Sequence, residues 1–103
     1  MNINNYNNTS FGQKVPTASL LKMGTGVFDY NDAKTLCLLF DDRFPGHVGY
    51  YKKAQNFADK IAKKNENINK IFESINAIES KNNKLSVIDK LTKQLGNEID
   101  VVI

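Results

Sequence analysis

Between Tyr50 and Ile78 apolar residues recur with a helical period, at Ala54, Phe57, Ile61, Ile68, Ile71, Ile75 and Ile78. Seven-residue steps connect Ala54, Ile61, Ile68 and Ile75, and a second set runs through Phe57, Lys64, Ile71 and Ile78. This is a heptad seam of the coiled-coil kind with one polar defect at Lys64, and Ala58, Ala62 and Phe72 widen it toward the face of a globular core. Asn65, Glu66 and Asn67 stand beside the defect, so the segment is either one helix or two that meet there. An unbroken helix of about 30 residues would measure roughly 45 Å. A compact domain of about 100 residues has a radius of gyration near 13 Å. The segment must therefore bend or protrude.

The flanking sequence supplies shorter elements. Phe11 to Val15 can form an extended piece, and Pro16 biases the residue before it toward β or polyproline geometry. Thr17 is expected to cap a helix of about two turns through Leu20, Leu21 and Met23, with Gly24 and Gly26 as its terminators. Asp29 or Asn31 can cap a second helix, and Asp32 meets the positive end of its dipole. Ala33, Leu36, Cys37 and Phe40 follow at i, i+3, i+4, i+7, and Leu38 and Leu39 make this helix apolar nearly all round, which predicts burial or a covered interface. Phe44-Pro45-Gly46-His47-Val48-Gly49 reads as a connector. Beyond the long segment, Asn82 and Asn83 suggest a turn. Leu85, Ile88, Leu91 and Leu95 then describe a helix ended by Gly96, antiparallel to the long one. Ile99, Val101 and Ile103 alternate with Asp100 and Val102, the period of a strand. A lone strand is unstable, so its partner is Phe11 to Val15, Val27 to Tyr30, or another molecule. The expected fold is mainly α: a small bundle of three to four helices with a short C-terminal β-strand over residues 11 to 103, after a disordered tail at Met1 to Ser10, half of it asparagine.

Charge and composition remove several functions. The formal net charge of +3 resides entirely in residues 50 to 81, because the segments on either side balance. Arg43 is the only arginine, and arginine is the preferred side chain for bidentate phosphate and guanine contacts. The longest apolar run, Leu36 to Phe40, is far too short to span a bilayer. No basic stretch precedes an apolar run at the amino terminus, so a secretory signal is not expected. The single cysteine, Cys37, suits a reducing compartment, and the cytoplasm is the expected location.

Catalytic chemistry finds little material. One His and one Cys cannot assemble a zinc site, and no Walker or dinucleotide glycine spacing occurs, so neither metal nor cofactor is expected. Cys37 and His47 are nucleophile and base by residue type, yet Cys37 falls on an apolar stripe, where thiols act as small hydrophobes. Asp41 and Asp42 could divide acid and base roles, but adjacent acids at a helix end are ordinarily solvated charges. Gly46-His47-Val48-Gly49 resembles the backbone-clamping loop of KH-type RNA-binding domains in its two glycines alone. The strand order around it and a lysine within it are both missing.

What remains is surface. Tyr50, Tyr51, Lys52, Lys53, Lys60, Lys63 and Lys64 form a candidate interaction face opposed only by Asp59, and Phe57, Ile61, Ile68, Ile71, Ile75 and Ile78 form a candidate apolar interface. Their combination predicts a non-enzymatic protein-interaction module, binding another protein or itself. The alternative is a nucleic-acid-binding accessory protein that uses the Lys52 to Lys64 face.

Overall fold

A computed structural model describes residues 12–40 and 47–103, with the side chains of His47 and Val48 outside that description. The tail at 1–10, Phe11, and the acids and connector at 41–46 lie outside it as well. The order of elements is β1 (Gly12–Pro16), α1 (Thr17–Thr25), α2 (Tyr30–Phe40), α3 (His47–Lys64), α4 (Glu66–Asn76), α5 (Lys81–Leu95) and β2 (Glu98–Val102). The fold is thus mainly helical with a two-stranded antiparallel ribbon, as the periodicities predict.

The C-terminal strand finds its partner within the chain. Gln13 lies opposite Val101 and Val15 opposite Ile99, and these four face inward, with Val15 and Val101 fully buried. Gly12, Lys14 and Pro16 pair with Val102, Asp100 and Glu98 on the outer side. The Lys14–Asp100 ion pair there, 3.4 Å long, is well exposed and so adds little stability. The ribbon is fastened to α1 by Thr17, whose N–H donates to the Asn97 carbonyl at 2.9 Å and whose hydroxyl donates to the Gly96 carbonyl at 2.7 Å. Threonine's local preference points to an N-cap, but Thr17 is the first helical residue and its side chain serves this contact 79 residues away instead.

Helix α1 is short but central, touching each of the other four helices through a surface that includes Leu20, Leu21 and Met23. Only Gly26, with φ of 79°, terminates it, in the left-handed conformation that glycine adopts without strain. Gly24 lies inside the helix. A Cβ at that position would overlap the Phe72 ring of α4, so the missing side chain is what lets α1 and α4 approach. Helix α2 begins with a reciprocal cap: Asp29 Oδ1 accepts the Asp32 N–H at 3.1 Å, and Asp32 Oδ2 accepts the Asp29 N–H at 3.0 Å. The hydrogen bond from the Asp32 N–H holds the Asp29 carboxyl below its ordinary value of 3.8. Burial pushes Asp32 the other way, against a hydrogen bond from the Ser19 hydroxyl at 3.2 Å and the nearby Lys22 charge.

The long segment is two helices. Helix α3 starts at His47, three residues before the expected Tyr50, so Gly49 is helical rather than part of a connector. The break falls at Asn65, which leaves the helical region with φ of −129° and ψ of 94°. The Asn65 side chain holds the break open: Nδ2 donates to the Ile61 carbonyl at 2.7 Å and to the Val102 carbonyl at 2.9 Å, while Oδ1 accepts the Val102 N–H at 2.9 Å. Both amide hydrogens and one oxygen lone pair are therefore used. In an antiparallel ladder, successive residues direct their backbone groups to opposite edges. Since Val102 bonds Asn65, it points away from β1, and Val101 and Ile99 make the inward ladder bonds. Pro16, which has no N–H, sits opposite Glu98 at an unbonded position, where its missing donor costs nothing.

The remaining turn also shifts. Asn82 and Asn83 do not mark it; Ser80 caps α5 by accepting the Asn83 N–H at 3.4 Å, and the turn is Ala77 to Ser80. Bending at Asn65 folds α4 back toward α1 and α5, giving a radius of gyration of 14.3 Å. The heptad set Ala54, Ile61, Ile68 and Ile75 is buried in the one core shared by all these elements. Helix α2 is apolar on both faces as read, yet only its inner face is covered: Leu38 and Leu39 are exposed.

Two substitutions test this packing in denaturant unfolding. Gly24→Ala should gain up to about 1 kcal/mol from helix propensity but lose more to the Phe72 overlap, for a net destabilisation of about 1–2 kcal/mol. Phe72→Leu in the same chain should recover part of the loss. Asn65→Ala should destabilise by about 2 kcal/mol through its three lost bonds, whereas the exposed Asn67→Ala should stay within about 0.5 kcal/mol of the parent.

Candidate functional site

The residues singled out in the sequence separate into three groups. Tyr50 is fully buried, with its ring edge-on to Tyr30 at a centroid distance of 5.7 Å, and burial pushes its hydroxyl above the ordinary 10.0. Tyr51 packs against Phe28 at 5.6 Å and Tyr30 at 6.3 Å. The two tyrosines fasten the start of α2 to α3, and Tyr50 belongs to the core rather than to an interaction face. Ile61, Ile68 and Ile75 are also core residues, each less than a tenth exposed, so within this chain they face its own core. Cys37 is buried on the inner side of α2, and the His47 side chain, Asp41 and Asp42 lie outside the described residues.

The lysines divide by helical angle. At 100° per residue, Lys53, Phe57, Lys60 and Lys64 recur at i, i+4, i+7 and i+11 and share one face of α3. Lys52 and Lys63 fall about a quarter-turn further round, and Lys63 lines a separate cavity of about 320 Å³ beside Asp59. The five lysines therefore form two groups.

Phe57 brings Lys60 and Lys64 of the first group together with apolar surface. A cleft of about 360 Å³ is lined by Phe40, Phe57, Lys60, Ile61, Lys64 and Ile103. The Phe40 and Phe57 rings meet at 5.0 Å with their planes tilted by 46°. Phe40 of α2 and Phe57 of α3 form the floor, α3 also supplies the cationic rim, and the residue after β2 supplies the far edge. Lys64, which reads as a defect in the heptad, points into this cleft instead of the core. Among the described residues its lining includes no acidic side chain, and no ion pair engages Lys60 or Lys64. Four of the six lining residues, Phe57, Lys60, Ile61 and Lys64, are legible in the sequence as candidate binding residues. Phe40 was legible only as core of α2, and Ile103 only as the end of an alternating strand.

Two other concave regions are less selective. A groove of about 330 Å³ between α4 and α5 exposes parts of Ile71, Ile78, Val87 and Leu91, so these expected interface residues remain accessible at its floor. A cleft of about 450 Å³ near Asn65 has Glu66 and Asp100 on its walls. Those two carboxylates are already paired with Lys70 and Lys14, each at 3.4 Å. Among the described residues, the cleft at Phe57 thus joins lysines outside any ion pair to apolar area, which neither of these two alternatives does.

Among the described residues, no three His, Cys, Asp or Glu side chains gather as metal ligands, and no helix is long and apolar enough to cross a membrane. Comparison with protein-family models, with curated proteins and with solved structures found no match to this chain, so its functional reading rests on the geometry of this cleft.

Proposed function

We propose that the chain is a non-enzymatic protein-interaction module, an adaptor, inhibitor or small subunit, that binds its partner across the α3 face centred on Phe57. The observation that supports this reading is the cleft itself: a paired aromatic floor, half-open, beside two lysines without an ionic partner among the described residues. Protein interfaces concentrate their energy in a few apolar anchors that enter such pockets, surrounded by polar rims. The exposed Leu38 and Leu39 on α2 add apolar area on a neighbouring helix. Binding along a nucleic-acid backbone is favoured by a continuous cationic face, and the angular separation of Lys52 and Lys63 from Lys60 and Lys64 argues for the protein reading. Its natural setting in this proposal is a reducing cytoplasm, consistent with a single buried thiol.

A photoreactive phenylalanine analogue incorporated at position 57 of the full chain tests the reading in extract from the native cells. Irradiation should give one discrete protein adduct, and the same analogue at the outward-facing position 63 should not. An adduct of twice the chain's mass would identify self-association as the form of the interaction. Equal and diffuse labelling from both positions, or none from position 57, would contradict the proposal.

A further inference from the structure

We infer that the cleft at Phe57 receives an acidic peptide segment of the partner protein, which lays one large apolar side chain on the Phe40–Phe57 pair and sets its carboxylates on Lys60 and Lys64. This rests on the protein-binding reading above and adds the chemistry of the partner.

The charge argument is direct. Lys60 and Lys64 are exposed, stand at i, i+4 on one helix face, and have no carboxylate beside them among the described residues that line the cleft. Side chains at that spacing are about 5–6 Å apart at their Cβ atoms. Carboxylates two residues apart on an extended strand, or four apart on a helix, have similar separations and meet the pair together. A basic segment is repelled at the same place, so the rim selects by sign as well as by attraction.

The floor determines the rest of the occupant. Interface anchors are most often aromatic or arginine side chains, and the two lysines exclude arginine. An aromatic or long aliphatic group is left, matched to the tilted ring pair and to Ile61 and Ile103. A free small amphiphile fits less well. Small-molecule sites enclose most of their ligand, whereas Ile61 is the only fully buried residue in this lining and Ile103 is 40% exposed. A peptide draws its remaining contact area from the surface around the cleft.

The experiment uses the isotopically labelled full chain and short synthetic peptides with a central Phe flanked on both sides by Glu. This probe should shift the backbone amides of Phe57, Lys60, Ile61, Lys64 and Ile103. Replacing its central Phe by Ala, or using the K60E/K64E chain, should each weaken binding by about tenfold, and rising salt should weaken it too. A peptide with Lys flanks should bind the parent chain poorly and the K60E/K64E chain well, a reversal that misfolding cannot produce. Laurate and a single-stranded oligonucleotide serve as competing probes. The inference is overturned if the Lys-flanked peptide binds the parent as tightly, if the shifts fall elsewhere, or if laurate or the oligonucleotide occupies these amides and the acidic peptide does not. Should the peptide fail while position 57 still cross-links a protein, the partner chemistry is wrong and the interaction reading stands; failure of both removes both.

Discussion

The side-chain amide of Asn65 is the point on which the arrangement depends. It bonds the Ile61 carbonyl at the end of α3 and both backbone groups of Val102 in β2, 37 residues away. An asparagine side chain has the same donor and acceptor groups as a peptide unit, and here it pairs with the strand as a neighbouring strand would. Two consequences follow. The helix breaks where the segment would otherwise run on as a rod, and the outer edge of β2 is tied to α3. Because β2 also pairs with β1, and Thr17 bonds the chain just before β2, the same node connects the helical break to the start of α1. Ile103 is thereby held at the edge of the cleft that Phe40 and Phe57 floor.

The break also gives the heptad pattern its physical meaning. A continuous seam would present Ala54, Ile61, Ile68 and Ile75 to a second helix along one line. Folded at Asn65, the two halves of that line come from helices that converge on one core, and all four residues are buried there. The second line is divided differently. Phe57 and Lys64 border the cationic cleft, while Ile71 and Ile78 border the α4–α5 groove. One set of heptad positions therefore stabilises the fold and the other remains at the surface, where it is available for binding.

Local chemistry made much of this legible. The helical periods of α2, α4 and α5, the strand alternation at Ile99 to Ile103 and the ambiguity at Asn65 all follow from nearest-neighbour geometry. What escaped depends on distant residues. Thr17 looks like a cap because its preference for that position is local, whereas its bond to Gly96 is not. Gly24 looks like a terminator because nothing nearby reveals the Phe72 ring. Asn82 and Asn83 look like a turn because asparagine favours turns, but Ser80 competes for the cap and starts the helix earlier. Two thirds of the candidate site is legible for the same reason: Phe57, Lys60, Ile61 and Lys64 stand on one side of a single helix, while Phe40 and Ile103 reach it only through the tertiary fold.

Amide hydrogen exchange at Val102 measures the central interaction with an internal control. The Val101 N–H bonds into the β1 ladder, whereas the Val102 N–H points away from β1 and has Asn65 Oδ1 as its acceptor. If Asn65 couples the helical break to the strand, Val102 should be protected to a degree comparable with Val101, although it is the last residue of the strand. Exchange of Val102 at the rate of an open chain end, with Val101 still protected, would contradict the account.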